Sequence, residues 1–516
     1  MSMRGALNLQ RQRLQCSHQA LRSLGRAHRW YATQSPKSGR PFACTWLTNT
    51  PEDITPDDIL SSLPSVPSSN APNSVPLLLV TPSFAHWLDP SSPFLSQCLG
   101  QLYGTSADAT SAYAVAAVVD TLPDTRTIST ALASHNSPVA STESEGLSLL
   151  VTGESNFHGK AAPPRLVRSS ASEETNLLVS IQTGSPGQTN NRPAHEIGLR
   201  LANTVFVNGK ETTISGTQWL RDSGSNEYVL EQSVDLTSCM ITATAQAVNT
   251  TLDLPLHQVT ERRKVISSMG NILRQLGKST DPASNEPMPA SSELEKELPR
   301  YIAEHNIVDQ RVSVWALVEK PELVVADAAA STHDRLIQSL HQGGKLHRVM
   351  SGGGGWGKKQ GLLSLDPEVS FSGTANRDEL VALSQIFDPD NLPTDTLPSL
   401  DKGITVDDLS LLSQVATAGD FIQFFVAVEP TYSQSKVSDE AGSPEVAVSY
   451  HFGMVSDSME LDTYEGSSSV KDLVAMPYRF GALSEKAIAY SQPMKGAGSE
   501  STKLDIPGSR VLLEAI

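Results

Sequence analysis

The first 51 residues contain no aspartate and no glutamate. Their charged side chains are all basic: Arg4, Arg11, Arg13, Arg22, Arg26, Arg29, Lys37 and Arg40. The rest of the chain holds all 56 acidic residues, so the sign of the charge reverses after this leader. A leader that lacks acids, contains Arg and Ser, and is able to form a basic amphipathic helix is typical of a mitochondrial presequence. Arg29-Trp30-Tyr31-Ala32 fits the arginine-minus-three pattern, which predicts cleavage between Tyr31 and Ala32 and a matrix location.

Other absences limit the possible functions. No apolar run approaches the roughly 20 residues that cross a bilayer, so we expect a soluble mature protein without a membrane span. The net charge of −17 disfavours direct binding to nucleic acids. Cysteine is rare, and Cys44, Cys98 and Cys239 are widely spaced without a C-x-x-C pair. They are predicted to be buried thiols, no metal site is predicted, and the cofactor stays unknown.

The length predicts two or three domains. We divide the chain into a presequence (1–31), a linker and entry segment (32–74), a first α/β domain (75–280), a linker (281–290) and a second α/β domain with long loops (291–516). The second linker is placed by Pro282, Pro287 and Pro289.

The first domain shows continuous apolar strands around a helix, which favours a covered, partly parallel sheet. Predicted strands are Val75–Val80, Tyr113–Val119, Gly146–Val151 and Leu177–Ile181, and predicted helices are Pro93–Tyr103 and His195–Ala202. Asn208-Gly209 lies between two β-prone arms over Asn203–Trp219, which is a strong hairpin signal.

The second half begins after a predicted helix at Glu261–Leu276, whose apolar residues have helical spacing. Ser292 opens a capping-box pattern and a helix towards His305. Further predictions are a helix at Ser331–His341 and strands at Arg311–Val318, Phe421–Val428 and Val446–Val455. The fold class is therefore α/β or α+β, with mixed, partly parallel sheets and covering helices. The order of elements after Val80 is similar to the order after Val318, so the chain is compatible with two structurally related units.

The sharpest local motif is Gly352-Gly353-Gly354-Gly355-Trp356-Gly357-Lys358, which has the GxxxxGK spacing of a phosphate loop. Backbone amides of such a loop converge on an anion, and Lys358 supplies charge. Lys359 replaces the hydroxyl residue that would hold Mg²⁺, and the following helix has little room. Three interpretations stay open: a nucleotide triphosphatase, a site for another anionic or planar ligand with Trp356 as a lid, and a flexible structural loop.

Standard catalytic motifs are missing. His195-Glu196 has no second histidine at zinc-protease spacing, and there is no G-x-S-x-G. Ser155 and His158 are close in sequence but have no third partner for a triad. No catalytic residue is identified, and enzymatic activity stays undecided.

The segment Gly198–Thr213 resembles FIST-type sensory domains, in a small-residue stretch, a strand ending in Gly209-Lys210 and a Thr-rich second strand. The upstream order of strands and helix is also similar, so the resemblance covers about residues 75–250. It implies a small-ligand-binding α/β domain without known catalytic residues, with amino acids or related metabolites as ligands. The motif Gly352–Lys359 matches no part of that family.

Three functions follow as hypotheses. The first is a non-enzymatic mitochondrial protein that binds a small ligand or a protein partner, with a sensory or regulatory role. The second is an enzyme for a phosphorylated or anionic metabolite held by Gly352–Gly355 and Lys358. The third is a mitochondrial gene-expression or assembly factor that acts through protein contacts.

Overall fold

The computed structural model describes residues 41–63, 73–89, 91–104, 111–124, 143–162, 175–184, 194–202, 213–222, 224–225, 227–305, 307, 312–323, 331–352, 361–369, 379–388, 414–427, 448–456, 472–494 and 499–516. Strands make up 53% of the described structure and helices 19%, so the fold is mostly sheet. The predicted mixed sheets with accompanying helices are confirmed in this broad sense.

In the described part of the chain the strands are β1 (Phe42–Thr48), β2 (Ser74–Val80), β3 (Ser111–Val118), β4 (Leu122–Pro123), β5 (Glu143–Gly153), β6 (Phe157–Ala161), β7 (Asn176–Thr183), β8 (Ala194–Arg200), β9 (Ile214–Arg221), β10 (Tyr228–Ala245), β11 (Val248–Asp253), β12 (Leu256–Gln258), β13 (Arg263–Met269), β14 (Ile272–Gly277), β15 (Pro287–Pro289), β16 (Val314–Glu319), β17 (Lys345–Gly352), β18 (Leu363–Leu365), β19 (Val381–Ala382), β20 (Phe421–Ala427), β21 (Val448–Met454), β22 (Leu473–Pro477), β23 (Arg479–Ser484), β24 (Ile488–Pro493), β25 (Ser499–Lys503) and β26 (Arg510–Ala515). The α-helices there are α1 (Pro56–Leu60), α2 (Pro93–Tyr103), α3 (Ser292–Glu304), α4 (Thr332–His341) and α5 (Leu383–Ile386). Short 3₁₀ helices lie at Pro51–Asp53, Pro82–Leu88, Glu154–Asn156 and Pro321–Leu323.

The largest sheet runs in the order β22-β1-β5-β2-β3-β9-β10-β7-β8-β24-β25. Strands β2 and β3 pair in parallel, and β5 pairs with β2 in the antiparallel sense, which confirms the predicted partly parallel sheet. Helix α2 connects β2 to β3. It begins after Ser92, whose hydroxyl accepts a hydrogen bond from the Phe94 amide, and it buries Leu95, Cys98 and Leu102. A crossover helix is the usual link between parallel neighbours.

A six-stranded antiparallel barrel forms the second layer. Its strands follow one another as β20, β13, β14, β18, β17 and β16, and β16 pairs again with β20 to close it. Because side chains alternate along a strand, Val314, Ala316 and Val318 fill the interior. Trp315 and Leu317 face outward into the core shared with the largest sheet. Both faces of β16 are therefore buried.

The predicted helix at Glu261–Leu276 is wrong, because this segment is the hairpin of β13 and β14. Met269 pairs with Ile272 across a two-residue turn, and Val265 pairs with Leu276. Gly270 has φ +60°, a conformation that glycine adopts without strain and that no helix contains. Val265, Leu273 and Leu276 point from the two strands into the barrel, whereas Met269 beside the turn is exposed.

The predicted helix at His195–Ala202 is also wrong. Ala194–Arg200 is strand β8, which pairs with β7 and β24. Ile197, Leu199 and Leu201 are all buried, so the apolar residues repeat every two positions, as in a strand. The Asn208-Gly209 turn lies outside the described residues, and its predicted second arm overlaps β9.

The two predicted related units are not equivalent. Strand β2 leads through a helix to a parallel neighbour, whereas β16 leads through α4 to the antiparallel neighbour β17. The domain division at 281–290 stays a prediction. Strands β13 and β14 before it share the barrel with β16 after it, and β15 within it pairs with β14.

Helix α3 begins at Ser292, close to where it was predicted. The capping box is not formed, because the N-cap is Ser291 and makes no side-chain capping bond. Glu293 instead accepts two hydrogen bonds from Arg263, at 2.8 and 2.9 Å. The prediction that Cys44, Cys98 and Cys239 are buried is confirmed. Among the described residues, none of the helices has the length and apolar character to cross a membrane.

Candidate ligand-binding site

The predicted glycine loop is described at one residue only. Gly352 is the exposed last residue of β17 and pairs with Leu363. A Cβ atom on Gly352 would meet the end of the Leu363 side chain, so the two paired residues pack closely. Gly353, Gly354, Gly355, Trp356, Gly357 and Lys358 lie outside the described residues, as do Tyr31 and Ala32 of the predicted cleavage site.

The two histidines near this loop are already engaged elsewhere. His341 Nδ1 lies 2.8 Å from Gln492 Oε1. His347 is buried, and its Nδ1 donates to the carbonyl of Asp366. His347 precedes Gly352 by five residues on one strand, a separation of about 16 Å. The two side chains therefore do not meet at Gly352.

A cleft lies instead where the largest sheet meets a separate four-stranded sheet, ordered β11-β26-β21-β23. It is a shallow cleft that is partly open to solvent. Its lining residues are Thr45, Leu47, Pro123, His451, Met476, Arg479, Phe480 and Gly481. His451 comes from β21, Arg479 from β23 and Thr45 from β1, while Leu47 on β1 and Met476 on β22 provide apolar surface.

Alternation along β21 produces this separation of polar and apolar residues. Val448, Tyr450 and Phe452 are buried on one face, where Phe480 packs edge-on against both aromatic rings. Ser449 and His451 lie on the opposite, partly buried face. Aromatic and β-branched residues favour strands of this half-buried kind.

Close packing and hydrogen bonds fix Arg479 beside His451. A Cβ atom on Gly481 would overlap the His451 carbonyl oxygen, so only glycine permits this approach of β23 to β21. Thr45 Oγ1 donates to the Arg479 carbonyl at 2.9 Å and lies 2.8 Å from Ser148 Oγ. The backbone at Arg479 is therefore held by β1 of the neighbouring sheet.

Charges alternate across the polar face. Arg479 and Glu514 are the two cross-strand neighbours of Ser449, on β23 and β26. Burial lowers the pKa of Arg479, and the negative charge of Glu514 opposes this effect. A guanidinium that is partly removed from water favours an anionic partner with planar, bidentate geometry, such as a carboxylate.

His451 is neutral at pH 7. Burial, and then the positive charge of Arg479, lower its pKa from 6.5 to about 3. Its Nε2 lies 2.8 Å from Ser449 Oγ, the spacing of a nucleophile and its base. A base with so low a pKa accepts a proton poorly at neutral pH, because general-base catalysis works best with a pKa near the working pH. The arrangement suits ligand binding better than nucleophilic catalysis.

A second polar cluster joins the barrel to the largest sheet, and its charges are satisfied internally. Lys503 Nζ lies 2.7 Å from Asp366 and 3.0 Å from Glu368, while Arg200 lies 2.6 Å from Glu368. Burial is the largest single effect on the pKa of Asp366 and would raise it, but the hydrogen bonds from Lys503 and the Glu368 amide, together with the charge of Lys503, lower the pKa overall. Each of these charges has an opposite partner, so this cluster is structural. In the described ranges no group of three or more His, Cys, Asp or Glu residues is arranged to hold a metal ion.

No motif in the sequence predicted Ser449, His451 or Arg479 as site residues. The spacing of Ser449 and His451 on a predicted strand was a usable signal, because residues two apart share a face. Nothing local marks Arg479, which reaches the site through pairing of β23 with β21. No family model, no curated protein and no solved structure matches this chain.

Proposed function

We propose that this protein is a non-enzymatic, regulatory or sensory protein that binds a small carboxylate-bearing metabolite, such as an amino acid, in the cleft at Arg479. The observation that carries the proposal is the pairing of a partly buried guanidinium with a neutral histidine in one cleft. The mitochondrial matrix, expected from the acid-free leader, is the proposed location.

The cleft is small: it encloses room for about one water molecule and is otherwise open to solvent. A ligand therefore places only a small group beside Arg479 and keeps the rest of its body outside. Leu47 and Met476 provide apolar surface beside this group, which strengthens its ionic hydrogen bonds.

The first prediction concerns Arg479→Gln. Hydrogen bonds to charged groups contribute about 1.5–3 kcal/mol, so the variant should bind its carboxylate ligand roughly 10- to 150-fold more weakly. The measurement is isothermal titration calorimetry of the full chain with amino acids and 2-oxo acids, chosen after a thermal-shift screen that also includes nucleotides and phosphorylated metabolites.

Two controls make this test specific. Arg274→Gln removes an arginine from an exposed position on β14 and should leave affinity unchanged. Lys358→Ala removes the charge of the predicted glycine loop and should also have no effect. If Lys358→Ala abolished binding and Arg479→Gln did not, the ligand site would be the glycine loop, and the enzyme hypothesis for anionic metabolites would replace this proposal.

A further inference from the structure

The two most exposed large apolar side chains in the described ranges lie on the outside of the barrel. Met269, the last residue of β13, is 61% exposed, and Met350, near the end of β17, is 63% exposed. Met269 pairs with Ile272, which pairs with Ser364. Ser364 pairs in turn with Ser351, the residue after Met350. Three strand spacings of about 4.8 Å therefore place the two methionines roughly 14 Å apart along one surface, and we call Met269, Ile272 and Met350 the methionine face.

Two arginines without an acidic partner flank the methionine face. Arg274 lies two residues beyond Ile272 on β14, and Arg348 lies two residues before Met350 on β17. Both are exposed, and in the part of the chain that the structure describes no carboxylate forms an ion pair with either. Arg348 donates to the Ser313 hydroxyl at 3.1 Å, a contact that leaves its positive charge uncompensated.

The surrounding strands contribute no negative charge. Neither aspartate nor glutamate occurs in β13, β14, β17 or β18, although the protein has a net charge of −17. Glu261 precedes β13 at the end remote from Met269, and Asp366, directly after β18, is already paired with Lys503 at 2.7 Å. The methionine face is therefore apolar at its centre and positive at its margins. It complements a surface that is anionic outside and apolar beneath.

The shape of the barrel decides which partner of this kind can bind. Each of β13, β14, β18 and β17 pairs with a neighbour on both sides, so none offers a free edge to an added strand. The outside of a closed barrel is convex, so the face provides no groove for a helix. Apolar side chains that protrude from a convex surface suit the interface of a bilayer, where anionic head groups attract neighbouring arginines.

We propose that the methionine face, with Arg274 and Arg348 at its margins, binds the surface of a membrane that contains anionic lipids. The methionine side chains enter the interface, and the two guanidinium groups contact the lipid head groups. This binding is peripheral, and it is independent of the ligand proposed for the cleft.

A second exposed apolar pair provides a matched control. Leu220 and Val229 are cross-strand neighbours on β9 and β10, and they are 42% and 55% exposed. Three exposed acids and one arginine lie within two residues of this pair: Asp222, Glu227, Glu231 and Arg221. Because negative charge predominates there, this pair should not approach an anionic surface.

The test measures sedimentation of the predicted mature chain, residues 32–516, with lipid vesicles. The leader is removed because its cations would bind anionic lipid themselves, and the described structure begins only at residue 41. Vesicles of phosphatidylcholine alone are compared with vesicles that contain an equal amount of phosphatidylserine. Wild type should bind the anionic vesicles roughly 30-fold more tightly, as expected for two basic residues at an anionic surface.

Variants at exposed positions locate the contact. The double variant Met269→Ser, Met350→Ser should bind anionic vesicles about tenfold more weakly or worse, because it loses the apolar surface that enters the interface. Arg274→Gln should bind them about fivefold more weakly. Val229→Ser should bind as wild type does, and so should Lys278→Gln, which removes a cation already paired with Glu286. Melting temperatures equal to that of wild type would show that the fold is intact.

Three results would overturn the inference. The first is absence of binding to anionic vesicles at millimolar lipid, and the second is full binding by the double methionine variant. The third is an equal loss in Val229→Ser, since the contact would then not be specific to the methionine face.

Oxidation by hydrogen peroxide tests whether the face is open in the free protein. Met269 and Met350 should form sulfoxides rapidly in solution and slowly on anionic vesicles. Slow oxidation in the free protein would mean that another part of the chain covers the face, and a membrane could then not be its partner.

Discussion

At the scale of single residues, His451 links the cleft to the stability of the fold. Its pKa falls to about 3 in the folded protein because of burial and the nearby charge of Arg479. An unfolded histidine has a pKa near 6.5. Between these two values the unfolded chain binds a proton that the folded chain does not, so falling pH favours unfolding. The contribution of neutral His451 is complete above pH 6.5 and is lost progressively towards pH 3.

The second prediction is that His451→Gln reduces the acid sensitivity of the protein. Without His451, the unfolded chain no longer binds one proton more than the folded chain in this pH range. The slope of the unfolding free energy against pH should therefore fall by up to about 1.4 kcal/mol per pH unit. Urea unfolding at pH 6.5, 5.5 and 4.5 measures this slope. His86→Gln, at an exposed position, controls for the loss of an imidazole. An unchanged slope in His451→Gln would mean that His451 is protonated in the folded protein.

At the scale of elements, the turn at Gly270 decides between a helix and a hairpin. The third prediction compares two glycine substitutions. Gly270→Ala places an L-residue at φ +60° and should destabilise the protein by about 1–2 kcal/mol. Gly100→Ala lies within helix α2, where an added Cβ meets nothing within 4 Å, and should stabilise by about 0.5–1 kcal/mol.

Denaturant unfolding of both variants gives the two free energies. The change from glycine to alanine should therefore lower the free energy of unfolding in the hairpin and raise it in the helix. Equal effects would contradict the assignment of a hairpin at Arg263–Gly277 and favour the helix that the spacing of apolar residues suggested.

Local sequence patterns predicted most helices and strands, but some patterns fitted both a helix and a strand. Continuous apolar strands such as β2 and β3, and the one-sided apolar spacing of α2, left a single interpretation. Val265, Ile272 and Leu276 fit a helix and also fit two strands around Gly270-Asn271, so periodicity alone did not decide. The site was harder still to predict from the sequence, because Thr45 and Arg479 meet only through the pairing of β1, β21, β22 and β23. Such long-range pairing leaves no local trace in a sequence.

At the scale of the whole molecule, the barrel joins distant parts of the chain. Strands β13 and β14 precede residue 280, and the other four barrel strands follow residue 310. The fourth prediction is that fragments 41–285 and 286–516 do not fold when expressed separately, because each has an incomplete barrel and exposed strand edges. Circular dichroism and limited proteolysis of each fragment measure this.

A control for the fragment experiment is the mixture of both fragments after refolding together, which should recover protease resistance if the strands pair as they do in the intact chain. Independent, cooperative unfolding of either fragment alone would instead establish the division at 281–290 as a true domain boundary.

The pairing of β1 with β22 also determines when, during synthesis or import, the cleft can form. Cys44 is opposite Pro477, and Thr45 holds the backbone of Arg479. A chain leaves the ribosome, or enters an organelle, with its N-terminus first, so β1 can pair early with β5 but meets β22 only when almost the entire polypeptide has appeared. The cleft therefore exists only in a finished molecule, and nascent or prematurely terminated chains cannot compete for its ligand.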